Sequence, residues 1–149
     1  MGMFDAFNIN ASGLTAQRYR MDVISENVAN ANTTRTADGT PYRRKVVTFE
    51  EKNSVHSDFS SIFKTARNRY GGSGVKVDAV YEDTWTDMNM VYDPSHPDAD
   101  ENGYVTYPNV NIITEMTNLI DASRAYEANA TAFEASKSMA MQGLNIGQS

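Results

Sequence analysis

Chemistry in this chain would come most readily from residues 93–101, which gather one imidazole and four carboxylates within nine residues. Oxygen-rich loops of this kind suit Ca²⁺ or Mg²⁺. The imidazole belongs to His96, but the segment lacks the glycine and the terminal glutamate of an EF-hand loop at their offsets. The spacing therefore favours a proline-stiffened acidic turn. A small cation-binding module that uses this acidic loop stays open as an alternative.

The other patterns with possible chemistry are weaker. Residues 71–74 read Gly-Gly-Ser-Gly, which matches neither a dinucleotide-binding nor a P-loop spacing and indicates a flexible linker. Neither His56 nor His96 has a nucleophile at a recognisable spacing, and the absence of cysteine removes thiol nucleophiles and thiolate metal sites. We predict that the protein is not an enzyme and has no catalytic, cofactor-binding or metal-binding residues.

The net charge of -6 argues against a nucleic-acid partner and against binding to a membrane surface, because both depend on basic residues. The charge is also uneven, at +4 over residues 41–70 and -7 over residues 71–107. The basic residues Arg43, Arg44 and Lys45 are a possible electrostatic interface that meets an acidic stretch on a neighbouring subunit. The alternative is a charged edge strand that faces solvent.

The elements that flank this middle region are two amphipathic helices. From Ile112 onwards, apolar residues recur at alternating spacings of four and three, which predicts a helix of about 35 residues and about 50 Å. Pro108 precedes it, Asn109 or Asn111 can cap it, and Gly147 follows its end. A spacing of seven through Phe7, Leu14, Met21 and Val28 predicts a second helix over about residues 3–31.

Between the helices the period changes to two. Short strands are predicted within residues 42–49, 75–81, 88–92 and 104–107, and residues 51–74 are predicted to form an exposed loop. Asn102-Gly103 is a strong turn signal. The fold class is therefore mainly α with a small β-rich middle. We divide the chain into an N-terminal assembly helix (1–34), a middle (35–107) and a C-terminal assembly helix (108–149), the two helices forming one structural unit.

The apolar stripes are too long for the thin middle to cover, so we interpret them as surfaces that pack against other molecules. No run of about 18 apolar residues is present, and residues 1–30 lack the pattern of a cleaved signal peptide, so we expect neither a membrane span nor a cleaved signal. The predicted subunit-interface residues are Phe7, Leu14, Met21, Ile24, Val28, Ile112, Met116, Leu119, Tyr126, Phe133, Ala140 and Leu144.

Several motifs resemble the bacterial flagellar axial proteins, and among them the proximal-rod basal-body subunits, with another rod or axial subunit as the alternative because the leading helix is shared. The N-terminal match runs from Ser12 to Gln17 and from Arg20 to Ala31, with an "N-x-A-N" ending. Further matches lie at residues 39–43, 74–77, 92–97 and 103–110, and in the final helix at residues 115–116, 122–129 and 137–139. These segments cover about three quarters of the chain; residues 52–69 match no familiar pattern.

The resemblance implies a structural subunit of the flagellar rod without catalysis or cofactor. It implies terminal helices that pair in a coiled-coil-like layer, with the short strands outside. Such a subunit is exported by the flagellar type III apparatus without a cleaved signal peptide. It then polymerises helically with copies of itself and other rod subunits to transmit torque from motor to hook. We expect the termini to be largely disordered before assembly.

Overall fold

The computed structural model describes residues 3–52 and 73–147. The elements in chain order are helix α1 (Met3–Ala29), strands β1 (Lys45–Glu51), β2 (Val75–Glu82), β3 (Asn89–Tyr92) and β4 (Tyr104–Tyr107), and helix α2 (Ile112–Ile146). Both predicted helices and all four predicted strands are confirmed, and so is the mainly α fold class with its β-rich middle. The exposed loop predicted for residues 51–74 lies almost entirely outside the described residues.

Helix α2 begins at a side-chain cap. The Asn111 side-chain oxygen accepts hydrogen bonds from the backbone N–H of Ile113 at 3.0 Å and of Thr114 at 3.2 Å. These are two of the N–H groups that the first turn of a helix leaves without a backbone partner. Of the two asparagines predicted as caps, Asn111 therefore fills the role, and Asn109 has another one described below. The helix continues for 35 residues to Ile146.

The four strands form two separate two-stranded sheets, β1 with β2 and β3 with β4. Strands β3 and β4 are antiparallel, with Tyr92 opposite Tyr104 and Val91 opposite Val105. The loop between them ends at Gly103, whose φ is 79°, a backbone conformation that glycine adopts at little energetic cost. Its backbone N–H bonds to the Asp100 carbonyl at 3.0 Å. The turn predicted at Asn102-Gly103 is thus confirmed.

The chain divides into two compact units. Unit 1 comprises Met1–Tyr19, Phe49–Asp78 and Ser123–Ser149, and unit 2 comprises Arg20–Thr48 and Ala79–Ala122. Among the described residues, the buried apolar side chains of unit 1 are Ala16 and Ala140. Those of unit 2 are Val23, Ile24, Ala31, Tyr42, Val105, Val110 and Ala122. The described part of unit 1 therefore has a very thin apolar interior.

Within unit 1, parts of α1 and α2 approach each other closely. The Phe7 and Phe133 rings meet edge to face with centroids 5.1 Å apart. A Cβ atom placed on Gly13 would lie 2.7 Å from the Asn129 side-chain oxygen, so the helices pass too close for a larger residue unless Asn129 moves. The two terminal helices therefore contact each other in this unit, as the family resemblance implied, and Phe7 and Phe133, both predicted to face other molecules, contact each other here. No helix in the described part of the chain is long and apolar enough to cross a membrane.

Candidate subunit interface

A fully bonded asparagine is buried in unit 2. Asn27, near the end of α1, is 0% exposed. Its side-chain nitrogen donates to the Lys45 carbonyl at 2.8 Å and to a Glu115 carboxylate oxygen at 3.1 Å. Its side-chain oxygen accepts from the Tyr42 hydroxyl at 2.9 Å and from the Lys45 backbone N–H at 2.8 Å. An amide side chain has two donors and room for two acceptor bonds, so Asn27 is saturated.

A buried ion pair adjoins this asparagine. Glu115 lies in the first turn of α2 and is 1% exposed. One of its oxygens accepts from Arg44 Nε at 2.9 Å and Nη2 at 2.8 Å, while the other faces Asn27. A carboxylate near a helix N-terminus is also favoured by the helix dipole. The pair therefore joins the start of α2 to the segment that leads into β1.

Asp83 and Asn109 complete the arrangement. The Asn109 side-chain oxygen accepts from the Arg44 backbone N–H at 2.9 Å, and its nitrogen donates to the Asp83 carbonyl at 2.9 Å. Asp83 is 2% exposed, and its carboxylate lies 3.6 Å from the Arg44 guanidinium. We call Asn27, Tyr42, Arg44, Asp83, Asn109 and Glu115 the unit 2 polar network. The network connects the ends of α1 and β2 with the starts of β1 and α2.

Two groups in this network have displaced pKa values. Burial raises the pKa of the Asp83 carboxyl. Hydrogen bonds from Thr86 and the charge of Arg44 lower this pKa by a larger amount, so the net displacement is downward. Burial, with the nearby Glu26 and Glu115 carboxylates, raises the pKa of the Tyr42 hydroxyl far above its ordinary value. The network is thus held with Asp83 ionised and Tyr42 protonated at neutral pH.

The predicted interface residues of α1 lie against the rest of the chain to different degrees. Phe7, Leu14, Met21 and Val28 are half-buried, whereas Ile24 is buried at 5% exposure. Four of these five side chains therefore keep some surface for a contact with another molecule.

The predicted interface residues of α2 are more exposed. Leu119 and Phe133 are half-buried and Ala140 is buried. Solvent reaches the four others, which are Ile112 at 43%, Met116 at 53%, Tyr126 at 36% and Leu144 at 60%. Further large apolar side chains that the prediction did not include are also exposed: Ile113, Ile120, Met139, Met141 and Ile146. Nine large apolar side chains of one helix thus face solvent in the described chain.

The buried side of α2 is made of small and polar residues instead. Glu115, Ala122 and Ala140 are its buried side chains among the described residues. Glu115 and Ala122 lie seven residues apart, on a stripe adjacent to the predicted one. Apolar spacing alone points to the large residues, so it missed Glu115 and the rest of the polar network. The one sequence signal for this network was on α1, where the polar Asn27 lies beside the apolar pair Val23 and Ile24.

The basic segment has partners within unit 2. Arg44 belongs to the polar network, and the Lys45 ammonium bonds to the Glu26 carboxylate and lies 5.6 Å from the Tyr42 ring centre. Arg43 reaches the Asp83 carbonyl at 3.4 Å. Part of the attraction between the basic and acidic stretches is therefore satisfied inside one chain.

The carboxylates of the acidic loop accept hydrogen bonds from different donors. Ser95 donates its hydroxyl and its backbone N–H to Asp93, and these bonds lower the pKa of the Asp93 carboxyl. Asp98 accepts from the Thr34 hydroxyl at 2.8 Å, and Asp100 accepts from the Tyr104 backbone N–H at 2.8 Å. Within residues 3–52 and 73–147, no three His, Asp or Glu side chains converge as metal ligands would. The loop is a hydrogen-bonded turn.

Comparison with known proteins indicates which kind of molecule could cover the exposed apolar side chains of α2. Residues 7–35 match the family model described as "Flagella basal body rod protein", and residues 101–146 match "Flagellar basal body rod FlgEFG protein C-terminal". The flagellar basal-body rod protein FlgC of Bacillus subtilis strain 168 is 47% identical over 154 residues, covering 99% of this chain and 100% of the relative. The chain belongs to the FlgC family of flagellar basal-body rod proteins.

Other FlgC relatives are similar over their whole length. That of Borreliella burgdorferi is 43% identical over 152 residues, covering 99% of each chain. That of Escherichia coli O157:H7 is 38% identical over 148 residues, covering 99% of this chain and 100% of the relative. FlgC-family proteins are structural subunits of the flagellar rod and not enzymes. The axial-protein family predicted from the sequence motifs is thereby confirmed.

Proposed function

We propose that this FlgC-family chain polymerises helically into the basal-body rod through its terminal helices and transmits torque from the motor to the hook. The observation that carries the proposal is the set of nine large apolar side chains that α2 exposes. Four of them lie at the start of the helix (Ile112, Ile113, Met116 and Ile120) and four near its end (Met139, Met141, Leu144 and Ile146), and exposed apolar groups of this kind mark interaction sites. In a rod-subunit family, neighbouring subunits are the molecules that would cover this surface.

The contact surface that we propose consists of the predicted interface residues that keep exposed area. On α2 these are the exposed Ile112, Met116, Tyr126 and Leu144 with the half-buried Leu119 and Phe133, and on α1 they are the half-buried Phe7, Leu14, Met21 and Val28. Ile24 and Ala140 would support this surface from beneath, since the chain itself covers them. Close-packed interfaces deform little, which is what a shaft under torsional load needs.

Electrostatic contacts between subunits are a second part of the proposal. All three residues of the basic segment keep partial exposure, but Arg44 and Lys45 already pair with Glu115 and Glu26, so Arg43 is the residue best placed to meet an acidic neighbour. Arg44 would act indirectly, by holding the start of α2 through Glu115. The middle region (35–107) would then lie outside a coiled-coil-like layer built by residues 1–34 and 108–149. The partners are copies of the chain and other rod subunits.

We also propose that the chain reaches the rod, on the periplasmic side of the inner membrane, through the flagellar type III export apparatus and without a cleaved signal peptide. The family membership supports a place in the flagellum. Unfolded export suits a chain whose unit 1 has a very thin apolar interior among its described residues.

A pair of neighbouring substitutions tests whether the exposed apolar face of α2 makes the rod contact. Ile113→Asp places a charge where 78% of an apolar side chain faces solvent. Burying that charge at a subunit contact costs several kcal/mol, so rods should be incomplete in basal bodies viewed by electron microscopy, although the protein is expressed. Because Ile113 is exposed in the single chain, the thermal unfolding midpoint of the purified protein should change little.

Thr114→Asp is the matched control. Thr114 is also exposed and also lies in the first turn of α2, so an added carboxylate interacts with the helix dipole in the same way. Consecutive residues point about 100° apart around a helix, which turns Thr114 away from the row formed by Ile112, Met116 and Ile120. Thr114→Asp should leave rods complete. Complete rods with Ile113→Asp would contradict the proposal.

A further inference from the structure

An open apolar groove lies in unit 2 beside the start of α2. It has a volume of about 580 Å³, and its apolar lining includes Ala31, Met90, Val91, Tyr107, Val110 and Ile112. Met90 is 63% exposed and Val91 is 49% exposed, so the groove has no cover among the described residues. Grooves of this kind accept the apolar side of a helix.

The groove continues along α2 as an exposed apolar row. Ile112 lines the groove, and Met116 and Ile120 follow it at spacings of four. Residues four apart stack on the same side of a helix, so the three side chains form one ridge. A helix lying in the groove would therefore also contact this ridge.

The last turns of α2, in unit 1, have complementary chemistry. From Ser138 to Ser149 the sequence contains no charged residue. Met139, Met141, Leu144 and Ile146 are exposed there by 55% to 76%. Their positions are spread around the helix, and a helix segment that is apolar on several sides requires cover.

The charge distribution selects which surfaces can meet. Unit 2 contains five Lys and Arg against twelve Asp and Glu, a formal charge of -7, whereas unit 1 contains eight against seven, a formal charge of +1. Two copies that met groove to groove would bring two strongly acidic units together, which like-charge repulsion disfavours. A contact between unit 2 of one copy and unit 1 of another avoids this repulsion.

We infer that the unit 2 groove, with its ridge of Ile112, Met116 and Ile120, docks the uncharged end of α2 from a second copy of this chain. The two contacting surfaces are different, so each copy keeps one of each available after a contact forms. Such a heterologous contact repeats along an open assembly instead of closing a dimer. The inference rests on the proposed rod assembly and names the surfaces and the partner for one of its contacts.

Engineered disulfides test the inference cleanly, because the natural chain has no cysteine. Met90→Cys and Leu144→Cys are introduced into separate full-length copies and co-expressed in a flagellated host that lacks its own FlgC protein. Each molecule then carries one thiol, so a bond between the two sites must join two copies. Basal bodies are isolated, oxidised mildly and analysed for disulfide-linked dimers.

The expected product is a dimer that links position 90 to position 144. Its yield should be at least about tenfold higher than with a control partner, because two thiols held next to each other in the assembly have a millimolar effective concentration. The control replaces Leu144→Cys by Thr131→Cys, an exposed polar position of the same helix. Disulfides need Cα atoms within about 7 Å, so the bond reports a true contact. If either variant fails to assemble, Val91→Cys with Met141→Cys is the second pair.

Two results would overturn the inference while leaving rod assembly itself intact. One is complete rods with no excess of the specific dimer over the control for both pairs. The other is capture by the groove cysteine of a different rod subunit, identified by its mass. Failure of the proposed function is distinguishable, because it would appear as complete rods in the Ile113→Asp strain.

Discussion

The unit 2 polar network predicts a large effect for Asn27→Ala. The change removes four hydrogen bonds from a side chain with no exposure. A hydrogen bond contributes about 1 kcal/mol net, and a buried partner that loses its bond costs more. The Tyr42 hydroxyl and one Glu115 oxygen lose their Asn27 partner, so the free energy of unfolding should fall by roughly 3–5 kcal/mol. That is a large share of the 5–15 kcal/mol typical of a domain.

Thermal or urea unfolding of the purified protein measures this change. Far-UV circular dichroism follows the loss of the two helices. For a chain of about 150 residues the unfolding midpoint should drop by about 10 °C. Asn8→Ala is the control, since Asn8 is exposed on the same helix and the change should be neutral or slightly stabilising.

Asn27→Asp distinguishes hydrogen bonding from packing. It keeps the size and the acceptor bonds but removes the donors, and it places a carboxylate beside that of Glu115. Like charges raise each other's pKa, so the introduced carboxyl should take up a proton more readily in the folded state. Asn27→Asp should therefore be less stable than Asn27→Ala at pH 7, and the difference should shrink as pH falls. An Asn27→Ala effect below about 1 kcal/mol, equal to that of the control, would refute the role of the network.

Two further predictions concern a glycine and a titrating group. In urea unfolding, Gly74→Ala should destabilise the chain by at least about 1 kcal/mol more than Gly39→Ala. Both glycines have a positive φ, so both substitutions strain the backbone, but only at Gly74 would the added methyl group collide with Ser12. Equal losses would contradict the clash. The folded-state pKa of Asp83 is lowered, so its ionised form stabilises the fold above its unfolded pKa of about 4, and that stability is lost as pH falls through the folded value. Asp83→Asn should flatten the decline in unfolding free energy below about pH 4, and an unchanged decline would count against it.

The sequence predicted the elements well because their signals are local. The apolar spacing from Ile112 onwards, with Asn111 before it and Gly147 after it, is sufficient to place α2, and the structure gives Ile112–Ile146. Asn102-Gly103 likewise marked the turn before β4. Each of these signals depends on the backbone preferences of a few neighbouring residues.

The polar network escaped prediction because its bonds join residues far apart in sequence. Asn27 and Glu115 are separated by 88 positions, and neither stands out in an apolar pattern. Apolar periodicity also does not distinguish a side chain that the same chain covers from one that another molecule covers. Ile24 and Met116 both fitted the stripes, yet Ile24 is only 5% exposed and Met116 is 53% exposed. The stripes therefore predicted helices reliably, and which parts of them contact neighbouring subunits stays a prediction.

Thiol labelling of α2 in free and assembled protein tests most directly whether neighbouring subunits cover its exposed apolar face. Ile120→Cys, at a position now 56% exposed, gives the only thiol of the chain. A maleimide reagent should label it rapidly in the purified protein and at least about tenfold more slowly in isolated rods, because close-packed contacts exclude the reagent. Thr114→Cys should show a smaller difference. Equal labelling of Ile120→Cys in free protein and in complete rods would contradict the account.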